Sequence, residues 1–220
     1  MLEHLPLPSF NLKMIVGELA NEFTETILPI AALVGLLIGG FFTHEVLALS
    51  NNDPRITVKA ATIFAIGAIA PGIVGFLLCA RISSSLATEL QTAYLTGLDP
   101  SAQFQKQRLF TLAVGGFIAC ISYQAMSIIG AVIAAEYALP GASVYMLELL
   151  LIERHPMDWG GDALLSGAMG AAIGYAAILA ANQGSRVHRE IPRTAGRAVS
   201  YGLIAVCGLE LMYWLIRQTI

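Results

Sequence analysis

Long apolar runs broken by short polar connections organise this chain. Five stretches, Thr26–Thr43, Ala60–Ala80, Leu109–Ala135, Ala163–Ser185 and Ala198–Ile216, are nearly free of charge. The hydrocarbon core of a bilayer is about 30 Å thick and takes about 20 residues of helix, so each stretch lies at or near spanning length. Lipid offers no partner to an open backbone group, and the stretches are therefore read as helices. Before the first of them, Asn11–Glu25 is amphipathic. Leu12, Ile15, Val16, Leu19 and Phe23 fall on one helical face, and Asn11, Glu18, Glu22 and Glu25 on the other. Such a helix either lies in the membrane interface or packs on the bundle as a flanking helix. The expected fold is all-α: a polytopic membrane protein of one domain, 1–220. It has an amphipathic N-terminal helix over 8–25 and spans at about 26–46, 58–81, 107–136, 161–184 and 197–217.

Small and special residues refine this outline. Gly35 and Gly39 in the first span, and Gly170 and Gly174 in the fourth, form GxxxG patterns that let helix backbones approach closely, within one bundle or across a dimer. Pro71 removes a backbone hydrogen bond inside the second span and predicts a kink there. Pro100 after Asp99 predicts a turn with a new helix starting just beyond it. Between spans three and four, Pro140-Gly141 precedes an amphipathic stretch, Ser143–Ile152. Trp159, Tyr213 and Trp214 fit interfacial aromatic anchors.

Charge adds an orientation. Charged residues are only 12% of the chain and the net charge is −3, which gives no reason to expect nucleic acid as a partner. With the N-terminus cytoplasmic, the inner segments hold Lys13, Arg81, Lys106, Arg108, Arg186, Arg189, Arg193 and Arg197. The outer segments hold only Arg55, Lys59, Arg154 and Arg217. The excess of basic residues inside favours that arrangement. Met1–Ser9 carries no basic cluster, so no secretory leader is expected.

Candidate chemistry is sparse. Cys79, Cys120 and Cys207 fall in apolar spans without metal spacing and read as small packing residues. His4, His44, His155 and His188 are scattered, and the glycines do not follow strands. Neither a metal, a cofactor nor direct ATP binding is expected. Ser83, Ser84 and Ser85 have no His or Asp nearby to activate them, and the chain is not expected to be an enzyme. Glu210 is the ionisable residue well inside a predicted span. It is either a polar contact at the outer mouth of a cavity or a snorkelling carboxylate that shares a face with Arg217. Arg81 and Glu89, two turns apart on one helical face, read as an anchor for a cytoplasmic partner or as a solvated helix end. Ser122, Tyr123, Gln124 and Ser127 could line a polar groove or bond to neighbouring backbones. Arg186, His188, Arg189, Arg193 and Arg197 fit topology first and contact with anionic headgroups or an acidic partner second.

Several local segments, in order, resemble the MlaE/YrbE-type permeases, the membrane subunits of ABC transporters that move lipids with MCE-domain partners. Where span two ends, Ala80-Arg81-Ile82-Ser83-Ser84-Ser85-Leu86-Ala87-Thr88-Glu89-Leu90 is similar to the family's small-residue, arginine and Ala-Glu-Leu segment. Leu98-Asp99-Pro100 followed, seven residues on, by Arg108 is similar to its Val-Asp-Pro and arginine. Asn182-Gln183-Gly184, Ala195-Gly196-Arg197-Ala198 and Glu210 have counterparts near the C-terminus. The resemblance implies an elbow helix and five spans in a homodimer in the inner (cytoplasmic) membrane, among membrane lipids. It also implies an ABC ATPase subunit and an MCE-domain protein as partners. Arg81, Glu89, Asp99 and Arg108 would couple to the ATPase, and Glu210 would form the outer-mouth polar site. The departures are a shorter Glu89–Asp99 segment, Gly67-Ala68 in place of an Arg-Glu pair ahead of Pro71, and Met169 in place of a lysine. They raise the alternative of a permease fold reused as a structural or accessory subunit of a larger membrane complex.

Overall fold

The computed structural model describes Gly17 and residues 19–50, 53–97, 102–153, 156–183 and 191–219. Every element among them is helical, and five helices are long and apolar enough to cross a membrane. A π-helical segment, Leu19–Ile27, leads into α1, Leu28–Leu49. Then come α2, Pro54–Leu95, and α3, Ala102–Ala138. A short α4, Ser143–Glu153, precedes α5, Pro156–Gln183, and α6, Ile191–Thr219. Most of the expected 8–25 helix, together with Asp99, lies outside the described residues.

The local chemistry accounts for the element ends. Asp53 caps α2 by accepting the Arg55 backbone N–H at 2.9 Å, and Pro54 stands where a helix needs no N–H. The disturbance expected at Pro71 takes a definite form: the turns before it, Ala61–Ala68, are π-helical. A second π-helical stretch, Cys79–Ser83, lies just past the apolar part of α2. At the α3–α4 corner, Gly141 adopts a φ of 88°, a left-handed conformation that only glycine takes cheaply. The Glu136 carboxylate then accepts the Gly141 and Ser143 backbone N–H groups at 3.0 and 3.1 Å. The stretch expected to be amphipathic is α4, with Met146 and Leu150 buried.

Packing runs in chain order. α1 lies along α3, α3 along α5, and α5 along α6, while α2 fills the space against α3, α5 and α6. α5 is the central helix: 67% of its apolar window is buried, against 11% for α6. Both GxxxG patterns act inside this one chain. A side chain at Gly35 or Gly39 would strike the backbone carbonyl of Tyr123 or Ser127 on α3, and one at Gly170 would strike that of Leu112. Gly174 sits against the side chains of Leu109 and Leu112. On α1 the small face Ala31, Gly35, Gly39, Thr43 is buried. The opposite stripe, Ile30, Leu33, Leu37, Phe41, is exposed, as a lipid-facing surface requires. Met169, where the family resemblance implies a lysine, is fully buried and packs against Gly75 of α2.

The bundle therefore has a near end, where α1, α3 and α6 begin and α2 and α5 finish, and a far end, where α4 lies.

Candidate functional site

At the near end, the segment leading into α1, the last turns of α2 and the first turns of α3 enclose a pocket of about 510 Å³. Arg81, Ser84, Ser85 and Glu89 from α2 and Arg108 and Thr111 from α3 supply its polar lining. The helix is unbroken from Cys79 to Leu95, so Arg81 and Glu89 share a face as their spacing predicted. Their charges do not pair. Arg108 Nη2 donates to both Glu89 carboxylate oxygens at 3.1 Å, and the Arg108 guanidinium lies 5.4 Å over the Phe104 ring. Arg81 lies on the pocket wall with no ion-pair partner among the described residues.

The Glu89–Arg108 pair ties the end of α2 to the start of α3, but its strength is modest. Glu89 is about half exposed, at 47%, and exposed pairs contribute about 0–1 kcal/mol. Glu89→Gln is therefore expected to cost less than about 1 kcal/mol in thermal unfolding, with a loss that shrinks further in high salt. Arg108→Ala should cost more, because its side chain is only 14% exposed and also covers Phe104.

Neighbouring contacts close the near end. Tyr94 OH donates to Asn182 Oδ1 at 2.7 Å, and Gln105 Nε2 donates to Tyr94 OH at 3.5 Å. Tyr201 OH donates to Gln183 Oε1 at 3.2 Å. Asn182 and Gln183 thus hold the end of α5 to α2 and α6.

Toward the far end lies a second polar cluster. Asp162, in the second turn of α5, is fully buried. Its Oδ2 accepts Gln124 Nε2 at 3.2 Å, and its Oδ1 accepts Tyr213 OH at 2.9 Å. Gln124 Nε2 also donates to the Ile66 carbonyl at 3.3 Å. Glu210 lies beside this cluster, with Asp162 and Trp214 close enough to act on its charge. A Cβ at Gly72 would come within 3.7–3.9 Å of the Glu210 carboxyl group.

The chain matches no protein-family model and no curated protein sequence. The two clusters therefore rest on their own geometry.

Residue by residue, Arg81, Glu89 and Arg108 converge on one pocket, and Glu210 lies near the Asp162 cluster, half-buried. The four GxxxG glycines are packing positions. The expected sharing of a face between Glu210 and Arg217 lies outside the described side chains. Sequence reasoning missed Asp162, which stands directly ahead of the apolar stretch Ala163–Ser185. The signal was Gly160-Gly161 next to it, which leaves room for other helices over that turn: a Cβ at Gly161 would lie 3.1 Å from Tyr213 OH. Gln124 answers the open alternative for the third span, since it bonds both a neighbouring backbone and a buried carboxylate. Among the described residues no three His, Cys, Asp or Glu side chains converge as metal ligands.

Proposed function

We propose that this chain is the permease-type subunit of an ABC lipid transporter, working with a separate ATPase and an MCE-type partner. One observation carries the reading: Glu89 and Arg108 join the end of α2 to the start of α3 around the pocket that also borders the start of α1. A load applied at the near end would be passed to three of the five spans together. The basic residues counted on that side favour a cytoplasmic near end in the inner membrane, where an ATPase would act. The Asp162–Glu210 cluster would then lie toward the opposite mouth. The chain makes and breaks no covalent bond in this reading, and the cycle is conformational.

A specific observation favours a second reading, an accessory subunit without transport. α2 runs on to Leu95 and the next helix starts at Ala102, leaving no room for a separate helix to dock on an ATPase. One experiment decides between the two: mild-detergent purification of the tagged chain, with mass spectrometry of the proteins that accompany it. Co-purification of an ABC ATPase and an MCE-domain protein at near-equal stoichiometry is the expected result. Their absence, with subunits of another membrane complex in their place, overturns the permease reading in favour of the accessory one.

A further inference from the structure

The geometry points to the near-end pocket as a binding site for the phosphodiester of an anionic phospholipid headgroup. The site requires only that the chain be embedded in a membrane, and it stands whether or not the chain transports anything.

Four features of the pocket argue for an anion. Its two guanidinium groups face one carboxylate, which leaves a single positive charge. That carboxylate is already satisfied, because Glu89 takes Arg108 Nη2 on both oxygens. The remaining cation is Arg81, on the pocket wall and without an ion-pair partner among the described residues. A guanidinium presents a planar fork of donors that matches two phosphate oxygens. Ser84 and Ser85 line the same pocket on the turn that follows Arg81 and add hydroxyl donors.

Thr111 is the independent observation. It lines the pocket from the α3 side, is 1% exposed, and its hydroxyl has no hydrogen-bond partner among the described residues. A buried hydroxyl without a partner is costly, and a ligand oxygen in the pocket would supply one.

Depth selects lipid over a free anion. Arg81 directly follows the apolar stretch Ala60–Ala80, and Arg108 directly precedes Leu109–Ala135. Both cations therefore stand at the level where acyl chains meet headgroups. The other walls, including Ile27, Leu86 and Leu112, are apolar and suit the glycerol and upper acyl carbons. One net positive charge complements one phosphodiester.

The test is a titration of the detergent-purified full chain with phosphatidylglycerol, read by native mass spectrometry, with inorganic phosphate as a separate probe. Wild type should bind one lipid molecule in preference to others. Arg81→Gln should weaken that binding at least about tenfold, the loss of one charge-assisted contact. Thr111→Val keeps the shape of a side chain that bonds nothing in the free protein. It should fold normally and still lose about threefold in affinity. Lys106→Gln, an exposed near-end lysine outside the pocket lining, should change binding less than about twofold. Equal lipid affinity in wild type, Arg81→Gln and Thr111→Val overturns the site. Displacement of the lipid by millimolar inorganic phosphate overturns the lipid assignment and leaves a free-anion pocket.

Discussion

Gly39→Leu is expected to lower the thermal stability of the purified chain by about 3 kcal/mol or more, the largest effect of any single substitution in the first span. The argument rests on what a side chain would meet. At Gly39 the first added carbon already falls on the Ser127 carbonyl and against its hydroxyl, both on α3. A backbone group cannot rotate aside as a side-chain tip can, so α1 must slide or separate from α3. Separation is costly because two helices in lipid gain little from hydrophobic exclusion and depend on close packing for association. Gly35 would carry the same wedge one turn away against Tyr123. Gly208→Leu is the control. It places the same side chain on α6 where no atom stands within 4 Å, and its effect should stay within about 0.5 kcal/mol. Thermal melting in mild detergent reads both. A Gly39→Leu chain that melts like wild type but loses its oligomeric state would move the GxxxG face from the bundle interior to a subunit interface.

That contrast also marks how far the sequence could be read. The number and order of the apolar helices were legible because lipid imposes a requirement on every residue between two boundaries, whereas the second runs on to Leu95, past the expected end at 81. The role of Gly35 and Gly39 was legible only in kind. Small residues at this spacing permit close approach but do not name the partner, and only the structure shows that the partner is α3 of the same chain. Pro71 signalled a disturbance without its form. Whether a helix bends, opens or widens to π near a proline depends on the neighbours packed around it, which here include Gln124, distant in sequence and bonded to the Ile66 carbonyl. The near-end site was half legible. Arg81, Glu89 and Arg108 stood out individually, yet the ion pair joins residues 19 apart on different helices, which local spacing does not reveal. Asp162 failed for a more general reason. Hydropathy assigns a charge next to a span to the adjoining connection, whereas burial is decided by which helices cover that turn.

Asp162→Ala should destabilise the chain by about 2–3 kcal/mol, while Asp162→Asn should cost less than about 1 kcal/mol. The difference tests whether the carboxylate acts as an acceptor at the centre of a network or merely fills space. Alanine strips the partner from Tyr213 OH and from one of the two contacts of Gln124 Nε2 at once. Their donors then lose that acceptor in a largely apolar setting. Asparagine keeps one acceptor oxygen, and Tyr213 OH can turn to use it. Pairwise hydrogen bonds measured inside membrane bundles average only about 0.6 kcal/mol. Two lost bonds taken alone would therefore give about 1.2 kcal/mol by that average, and the excess expected here comes from the orphaned partners. Tyr213→Phe in the Asp162→Ala background removes one orphan and should restore part of the loss, giving a coupling of about 0.5–1 kcal/mol in a double-mutant cycle. A cycle that closes to zero would mean that Asp162 and Tyr213 do not interact, and that α6 is held to α5 at this end by other contacts.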